Sequence, residues 1–155
     1  MIKLKKILFP TDFSESSEEA TQYAVSFARD YKAKLYALHV INEKIFTEGL
    51  TLPRVVSVED MEKEMTSEAK KRLQTLIPEE EAVGLEWEGV IRQGAPFLEI
   101  IRFAKEKDID LIVIGTHGRS GFEHIIFGST AEKVVRKAPC PVLSVRPSQR
   151  EFVMP

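Results

Sequence analysis

Four of the eight glycines lie within residues 115–128, and this segment has the residue types best suited to binding an anion. The first three occupy every third position from 115 to 121, and the fourth, Gly128, is followed by Ser129 and Thr130. Glycine lets the backbone approach an oxygen-rich ligand closely. The first turn of a helix adds unpaired N–H groups at the positive end of its dipole. The segment therefore predicts a phosphate site.

The spacing of these glycines is specific. The pattern Gly-x2-Gly-x9-Gly followed by Ser or Thr is expected by chance roughly 0.002 times in a chain of this composition. The alternative interpretation is an ordinary turn whose glycines serve loop geometry, with Ser129 as the N-cap of the next helix. The pattern is neither GxGxxG nor Gly-x4-Gly-Lys-Ser/Thr, which disfavours a nicotinamide enzyme and a P-loop ATPase.

Asp12 is the second candidate, because it comes just after the apolar run at residues 7–10. An aspartate at such a position either contacts a ligand at the edge of the sheet or hydrogen-bonds to local backbone in a turn. Beside the glycine pattern we favour ligand contact.

No set of side chains in the sequence predicts catalysis or a resident metal. The three histidines, His39, His117 and His124, have no companion cysteines or paired carboxylates at ligand spacing, so we expect no metal site. His39, inside an apolar run, is expected to be a core residue. No nucleophile–base pair is recognisable, so no catalytic residue is predicted.

The single cysteine, Cys140, excludes an internal disulfide and is expected to be a small buried residue.

Short apolar runs alternate with stretches of helical periodicity, which defines the elements that position these candidates. The predicted strands cover residues 7–10, 34–41, 85–94, 111–114 and 141–145. Four helical stretches separate them: the first covers residues 15–31 after the N-cap Ser14, and the second covers 61–76, with Met61 and Met65 as core residues. Glu79–Glu81 is expected to be a solvated turn.

Strands separated by helices form parallel pairs through right-handed crossovers, which predicts a doubly wound α/β sandwich. We expect one Rossmann-like, five-stranded parallel sheet in the order 3-2-1-4-5 with helices on both faces. In such folds ligands bind outside the carboxyl ends of the strands, where the strand order reverses. Asp12 and the glycine segment both follow predicted strands, so they are expected at that edge.

Length and composition narrow the class of protein further. The 155 residues, 43% hydrophobic and 30% charged, fit a single domain, with a core at 1–147 and a C-terminal tail at 148–155. A net charge of −2 gives no overall field to attract nucleic acid or anionic lipid. No apolar run approaches the roughly 18 residues of a membrane helix, and the N-terminal residues lack a signal-peptide pattern. We therefore expect a cytoplasmic protein with neither nucleic acid nor membrane as partner.

The chain resembles the universal stress protein family over nearly its whole length. The resemblance rests on Ile-Leu-Phe-Pro-Thr-Asp-Phe-Ser at 7–14, on the glycine pattern with Ser129, and on Ala-Pro-Cys-Pro-Val at 138–142. The glycine signature marks the ATP-binding branch of that family, and this chain keeps every position of it. The resemblance thus implies a stress-response regulatory protein that binds ATP or AMP at the strand switch point.

The resemblance also implies roles for individual residues at the nucleoside. Thr11 and Asp12 would lie beside it, with Asp12 facing ribose or adenine. Val40, near the end of the second strand, would offer its backbone groups to the edge of the adenine.

At the other end of the nucleotide, the resemblance implies that Gly115 and Gly118 line the ribose–phosphate turn. Arg119 either adds positive charge there or is an ordinary solvated loop arginine. Any Mg²⁺ that accompanies the nucleotide is expected to be held by phosphates and water rather than by protein ligands. The phosphates themselves would be held by Gly128, Ser129 and Thr130.

Other classes with the same alternating pattern are disfavoured by particular segments. Adenylyl transferases and PP-loop ligases carry His-x-Gly-His or Ser-Gly-Gly-x-Asp-Ser after an early strand, where this chain has Pro-Thr-Asp-Phe-Ser at 10–14. A phospho-receiver domain needs a phosphoacceptor aspartate after its third strand, where this chain has Gly94. We expect a protein without enzymatic activity; slow ATP hydrolysis or nucleotidyl transfer is the remaining alternative.

A homodimer is the expected assembly. Universal stress proteins commonly pair through their last strand, and residues 142–145 form an apolar strand that would otherwise leave an exposed sheet edge.

Overall fold

The computed structural model describes residues 1–44, 57–116 and 128–146 of the chain. Five strands in these ranges form one parallel sheet in the order β3-β2-β1-β4-β5, which confirms the predicted topology. The strands are β1 (Lys6–Pro10), β2 (Lys34–Asn42), β3 (Trp87–Gly94), β4 (Leu111–Gly115) and β5 (Val142–Val145).

The order reverses at β1, which pairs with β2 on one side and with β4 on the other. Leu8 is in register with Tyr36 of β2 and with Ile112 of β4. The carboxyl ends of β1 and β4 are therefore neighbours, and the helices that follow these two strands leave in opposite directions over the sheet. This is the switch point at which doubly wound folds bind ligands.

The helices of the described ranges cover both faces of the sheet. They are α1 (Glu15–Tyr31), α2 (Val58–Gln74), α3 (Glu79–Ala82), α4 (Pro96–Glu106) and α5 (Ser129–Lys137). None of these helices is both long enough and apolar enough to cross a membrane.

Successive strand residues point to opposite faces, so the core consists of two layers. On one face, Ile7 and Phe9 pack with the alanines of α1 and with Leu73 of α2. On the other face, Leu8 packs with Phe103 of α4 and with residues of α5. Because β1 is buried on both faces, it has no polar alternation, as its sequence predicted.

Local signals set the bounds of α1 where the sequence predicted them. Ser14 is the N-cap and its hydroxyl accepts a hydrogen bond from Ser17 N. Glu15 and Glu18 lie in the first turn, where the helix dipole favours negative charge. At the other end, Lys32 adopts the left-handed conformation of a helix C-cap and its N–H bonds to the carbonyls of Ala28 and Arg29.

Three elements differ from the prediction. Helix α2, predicted over residues 61–76, spans Val58–Gln74, because the hydroxyl of Ser57 accepts from Asp60 N and caps the helix three residues earlier. Glu79–Ala82, expected as a solvated turn, is the one-turn helix α3, because Glu81 N and Ala82 N both donate to the carbonyl of its N-cap Pro78. Its three glutamates are exposed, as expected. Strand β3 begins at Trp87 rather than at residue 85, because Leu85 N donates to the carbonyl of Ala82 and closes the turn after α3.

Candidate ligand-binding site

A cavity of about 340 Å³ opens at the carboxyl edge of the sheet, beside the β1–β4 switch point. The chain after β1, the last residues of β2 and the end of β4 form its base, and the first turns of α4 and α5 close its sides. The predicted residues Thr11, Asp12, Val40 and Gly115 all lie in this lining, together with Gly128, Ser129 and Thr130. Residues far apart in sequence are thus brought into one site.

The wall formed by the start of α1 is held by its own side chains. Thr11 is buried, and its hydroxyl oxygen accepts hydrogen bonds from Phe13 N at 3.0 Å and from Ser17 Oγ at 2.6 Å. Its backbone N–H donates to the carbonyl of Leu38 in β2. Thr11 therefore lines the cavity as a structural residue whose hydroxyl already has partners.

Asp12 makes the local turn bond expected of an aspartate and also lies at the cavity. One carboxylate oxygen, Oδ1, accepts a hydrogen bond from Ser14 N at 3.0 Å, which is the local turn bond of an aspartate. The residue also lies in the cavity lining. The turn bond fixes the carboxylate at the edge of the cavity, so a structural role and a ligand-binding role do not exclude each other.

His39 of β2 also lies in the lining, rather than only in the core. Its Nδ1–H donates to the carbonyl of Thr11 at 2.9 Å, since a carbonyl oxygen accepts and does not donate. The ring lies against Phe13, with centroids 4.6 Å apart and planes tilted by 31°. His39 thereby ties β2 to the turn that carries Asp12.

The start of α5 forms a different kind of wall. Gly128, rather than Ser129, is the N-cap, so the helix begins at Ser129, one residue earlier than it would with Ser129 as its cap. No side chain in the described residues caps it. The first helical N–H with a backbone acceptor is that of Glu132, which bonds to the carbonyl of Gly128. The N–H groups of Ser129, Thr130 and Ala131 lie before it in the first turn, where an α-helix supplies no acceptor.

The chain returns to the sheet at this point. Gly128 N donates to the carbonyl of Thr116 at 2.6 Å, and Thr116 N donates to the carbonyl of Val145. Thr116 is fully buried and lines the cavity. The two ends of the glycine segment are therefore fixed to each other and to β5.

Gly115 is required by a close approach between elements. A Cβ atom at this position would lie 2.8 Å from both the carbonyl oxygen and the hydroxyl of Ser16. Such contacts are too short for a real Cβ, and one of the atoms belongs to the backbone of α1. Glycine at 115 thus lets the end of β4 pack against the first turn of α1.

The remaining lining is mainly apolar, as in most small-molecule sites. Val40 and Ile41 contribute from β2, Pro96 and Ile100 from α4, and Met65 from α2. Met65, interpreted from the sequence as a core residue, is half-buried at the cavity instead. Asn42, at the end of β2, adds a polar amide.

The charges of the cavity are few. Within the described lining, Asp12 is the one carboxylate and there is no lysine or arginine. The positive potential that these residues offer to an anion therefore comes from the N-terminus of α5. A search of the described ranges finds no group of three or more His, Cys, Asp or Glu residues that could hold a metal ion.

Cys140 lies outside this cavity, half-buried against the core layer of α4 and α5. Burial raises the pKa of its thiol, and the nearby charge of Asp110 raises it further. The thiol is therefore held in its protonated, less nucleophilic form.

Some predicted residues lie outside the described ranges. These are Gly118 and Arg119 of the glycine signature and the two histidines at 117 and 124. Conversely, sequence reasoning did not assign Thr116, Asn42, Met65, Pro96 or Ile100 to a site. Their position just after a strand or at the start of a helix was the available signal for Thr116, Asn42 and Pro96.

The parallel sheet and its switch point define a doubly wound α/β protein, with a cavity at the edge where such folds bind ligands. The chain belongs to the universal stress protein family, whose family model matches residues 3–146. Universal stress protein MJ0531 of Methanocaldococcus jannaschii is 37% identical over 147 residues, with 95% of this chain and 85% of that protein covered.

Solved structures agree with this assignment. The fold is similar to that of MJ0577, a universal stress protein of the same archaeon, with a TM-score of 0.83, 32% identity and coverage of 96% of this chain and 99% of that one. It is also similar to the universal stress protein from Archaeoglobus fulgidus in complex with dAMP. That comparison has a TM-score of 0.63 and 26% identity, and it covers 94% of this chain and 99% of the other.

Proposed function

We propose that this chain binds an adenine nucleotide, ATP or AMP, in the cavity at the β1–β4 switch point and acts as a stress-response regulatory protein. One observation carries the proposal: the first turn of α5, with no side-chain cap among the described residues, faces a cavity of about 340 Å³ that Asp12 also lines. A volume of this size falls within the range of small-ligand sites.

In this proposal the phosphates lie at the start of α5. Gly128 leaves room for the anion, and the amides of the first turn donate to its oxygens. The hydroxyls of Ser129 and Thr130 add further donors. Because the described lining contains no lysine or arginine, helix N–H groups and the glycine signature, including Gly118 and Arg119, would supply the favourable interactions.

The nucleoside would lie over the ends of β1 and β2. Asp12 would accept a hydrogen bond from a ribose hydroxyl or from the adenine amino group. Val40 would offer backbone groups to the base, Thr11 would shape the wall beside it, and Gly115 would keep the ribose–phosphate turn open. The relative from A. fulgidus was solved in complex with dAMP, which supports a nucleotide with an adenine base.

The binding test uses the purified chain with ATP, AMP, GTP and adenosine in isothermal titration calorimetry. We expect ATP and AMP to bind more tightly than adenosine, because adenosine has no phosphate for α5, and more tightly than GTP, because the base differs. Equal binding of adenosine and AMP would contradict a phosphate site. Mass spectrometry of small molecules released from the freshly purified protein would identify the native nucleotide.

Slow ATP hydrolysis or nucleotidyl transfer is the alternative function. Any Mg²⁺ involved would be held through the phosphates. A turnover assay comparing the wild type with Gly118→Val would decide whether an observed activity belongs to this site. Activity that persists in Gly118→Val at the wild-type rate would assign it to a contaminant or to another site.

We also propose a cytoplasmic homodimer that pairs through β5. This strand is at one edge of the sheet, and Val142, Leu143 and Ser144 are half-buried rather than fully covered. Pairing two such edges would satisfy their backbone groups. Analytical ultracentrifugation at micromolar concentration should give a dimer, and a monomer alone would contradict this part of the proposal.

A further inference from the structure

The backbone of Phe13 has an unusual conformation. Its φ angle is +61°, in the left-handed region that bulky side chains rarely adopt. Two other non-glycine residues in the described ranges share a positive φ, Lys32 and Asp108, and each follows the end of a helix, where this conformation is common. Phe13 instead precedes a helix, in the turn that carries Asp12.

Contacts on several sides hold Phe13 in this conformation. Its N–H donates to the hydroxyl oxygen of Thr11 at 3.0 Å, and its ring lies 4.6 Å from that of His39. The guanidinium carbon of Arg72, on α2, is 5.3 Å from the centroid of the Phe13 ring, within the range of a cation–π contact. His39 in turn donates to the carbonyl of Thr11. Thr11, Phe13 and His39 therefore each contact the other two around the turn.

The conformation of Phe13 determines where Asp12 points. With Phe13 at a φ of +61°, Ser14 N lies 3.0 Å from Asp12 Oδ1 on the other side of that residue in the chain. If Phe13 relaxed to a negative φ, the amide of Ser14 would rotate away from the carboxylate. Asp12 would then lose the bond that fixes it at the edge of the cavity.

We propose that Phe13 is a positioning residue of the nucleotide site: its ring, in contact with His39 and Arg72, keeps the turn in the left-handed conformation that presents Asp12 to the ligand. The inference rests on the proposed nucleotide-binding function. It assigns a binding role to Phe13 and Arg72, neither of which lies in the cavity lining.

The test compares Phe13→Gly with Phe13→Tyr. Glycine adopts a positive φ without strain but has no ring, so it separates the backbone conformation from the aromatic contacts. Tyrosine keeps the ring, and a second cavity of about 310 Å³ beside Phe13 leaves room for its hydroxyl. We expect Phe13→Gly to weaken AMP binding about 5- to 10-fold in calorimetry, as loss of an aromatic pair predicts, and Phe13→Tyr to bind like the wild type.

The titrations are made well below the Tm of each variant, so that all of the protein is folded. A residue with a merely structural role would lower the Tm and leave the affinity of the folded protein unchanged. Wild-type affinity in Phe13→Gly would therefore overturn the positioning role while leaving the proposed function intact. Failure of the wild type itself to bind AMP or ATP would overturn both.

Arg72 provides an independent test from outside the cavity. Arg72→Gln removes the cation beside the ring and should weaken AMP binding about 2- to 3-fold. The matched control is Glu68→Gln, which removes the ion pair of 3.3 Å between Glu68 and Arg72 but leaves the guanidinium in place. If Arg72→Gln bound AMP as tightly as Glu68→Gln does, Arg72 would not contribute to binding.

Discussion

Two helix N-termini meet at the cavity and are completed in different ways. At α1, the hydroxyl of Ser14 accepts from Ser17 N, and Asp12 Oδ1 accepts from Ser14 N. At α5, the N-cap is Gly128, which has no side chain, and no side-chain cap is present in the described residues. In both helices the dipole is positive at the N-terminus, and the first-turn N–H groups have no acceptor within the helix itself.

This difference gives the two helix ends different roles: the start of α1 supports the site, and the start of α5 is the end proposed to bind the phosphates. Because side chains of the turn satisfy the start of α1, it forms a fixed wall and holds Asp12 in place. Because the start of α5 is not satisfied in this way, its amides remain suited to an anion. Local capping thus distinguishes the helix that supports the site from the helix proposed to bind the phosphates, although both line the same cavity.

The largest expected effect comes from making α5 resemble α1. Gly128→Asp places a carboxylate at the N-cap, where the observed φ of −65° and ψ of 153° suit aspartate. The new carboxylate would accept from the first-turn amides and repel phosphate, so we expect ATP affinity to fall about 100-fold. The Tm of the ligand-free protein should stay the same or rise. Calorimetry and thermal unfolding measure the two quantities.

Gly128→Asn is the matched control, because it caps the helix without adding charge. We expect a smaller loss of affinity, about 10-fold, from competition for the amides alone. If Gly128→Asp bound ATP like the wild type, the start of α5 would not be the phosphate site.

Gly115→Ala should lower the stability of the folded protein. The added Cβ would meet backbone and side-chain atoms of Ser16 at 2.8 Å, so β4 and α1 must move apart. Overpacking of this kind costs about 1–3 kcal/mol, which lowers the Tm by several degrees in a chain of this size. In the control Gly89→Ala, the nearest atom is a side-chain carbon of Leu73 at 3.3 Å, and the decrease should be smaller. Equal Tm values for the wild type and Gly115→Ala would contradict the close approach.

Asp12 allows its two roles to be measured separately. Asp12→Asn keeps an oxygen that accepts from Ser14 N but removes the charge, whereas Asp12→Ala removes both. We expect both variants to bind AMP about 10-fold more weakly, since a hydrogen bond to a charged acceptor is lost. Only Asp12→Ala should also lose stability, by about 1 kcal/mol. Full AMP affinity in Asp12→Asn would show that the carboxylate charge does not contact the ligand.

The smallest effect is expected at the cap of α1. Ser14→Ala removes the hydroxyl that accepts from Ser17 N and should destabilise the protein by about 1 kcal/mol. Nucleotide affinity of the folded protein should be unchanged, because this helix end does not bind the ligand. Urea unfolding gives the first quantity and calorimetry the second. A loss of affinity without a loss of stability would reverse the roles given to the two helices.

The fold could be predicted where local signals determine it. The bounds of α1 follow from Ser14, the glutamates after it and the alanine stripe, all of which act within the helix. The helix α3 and the late start of β3 were missed because they depend on Pro78 and on one bond between Leu85 N and Ala82 O, which no periodicity records.

The site could be predicted where a ligand-binding pattern lies next to a strand. Asp12, Val40 and the start of α5 reach the cavity because parallel strands end at one edge of the sheet. Met65 could not be assigned there, since the same apolar periodicity describes a core residue and a cavity residue. Similarly, Phe13 becomes informative only through its φ angle and its contacts with His39 and Arg72, which are tertiary features.

The most direct measurement follows the backbone amides of Ser129, Thr130 and Ala131 by ¹H–¹⁵N NMR during titration with ATP and, separately, with adenosine. The account predicts large shifts of these three amides with ATP and small ones with adenosine, because only ATP brings phosphates to the start of α5. If ATP bound and shifted residues of β2 while these amides did not move, the central claim would be wrong.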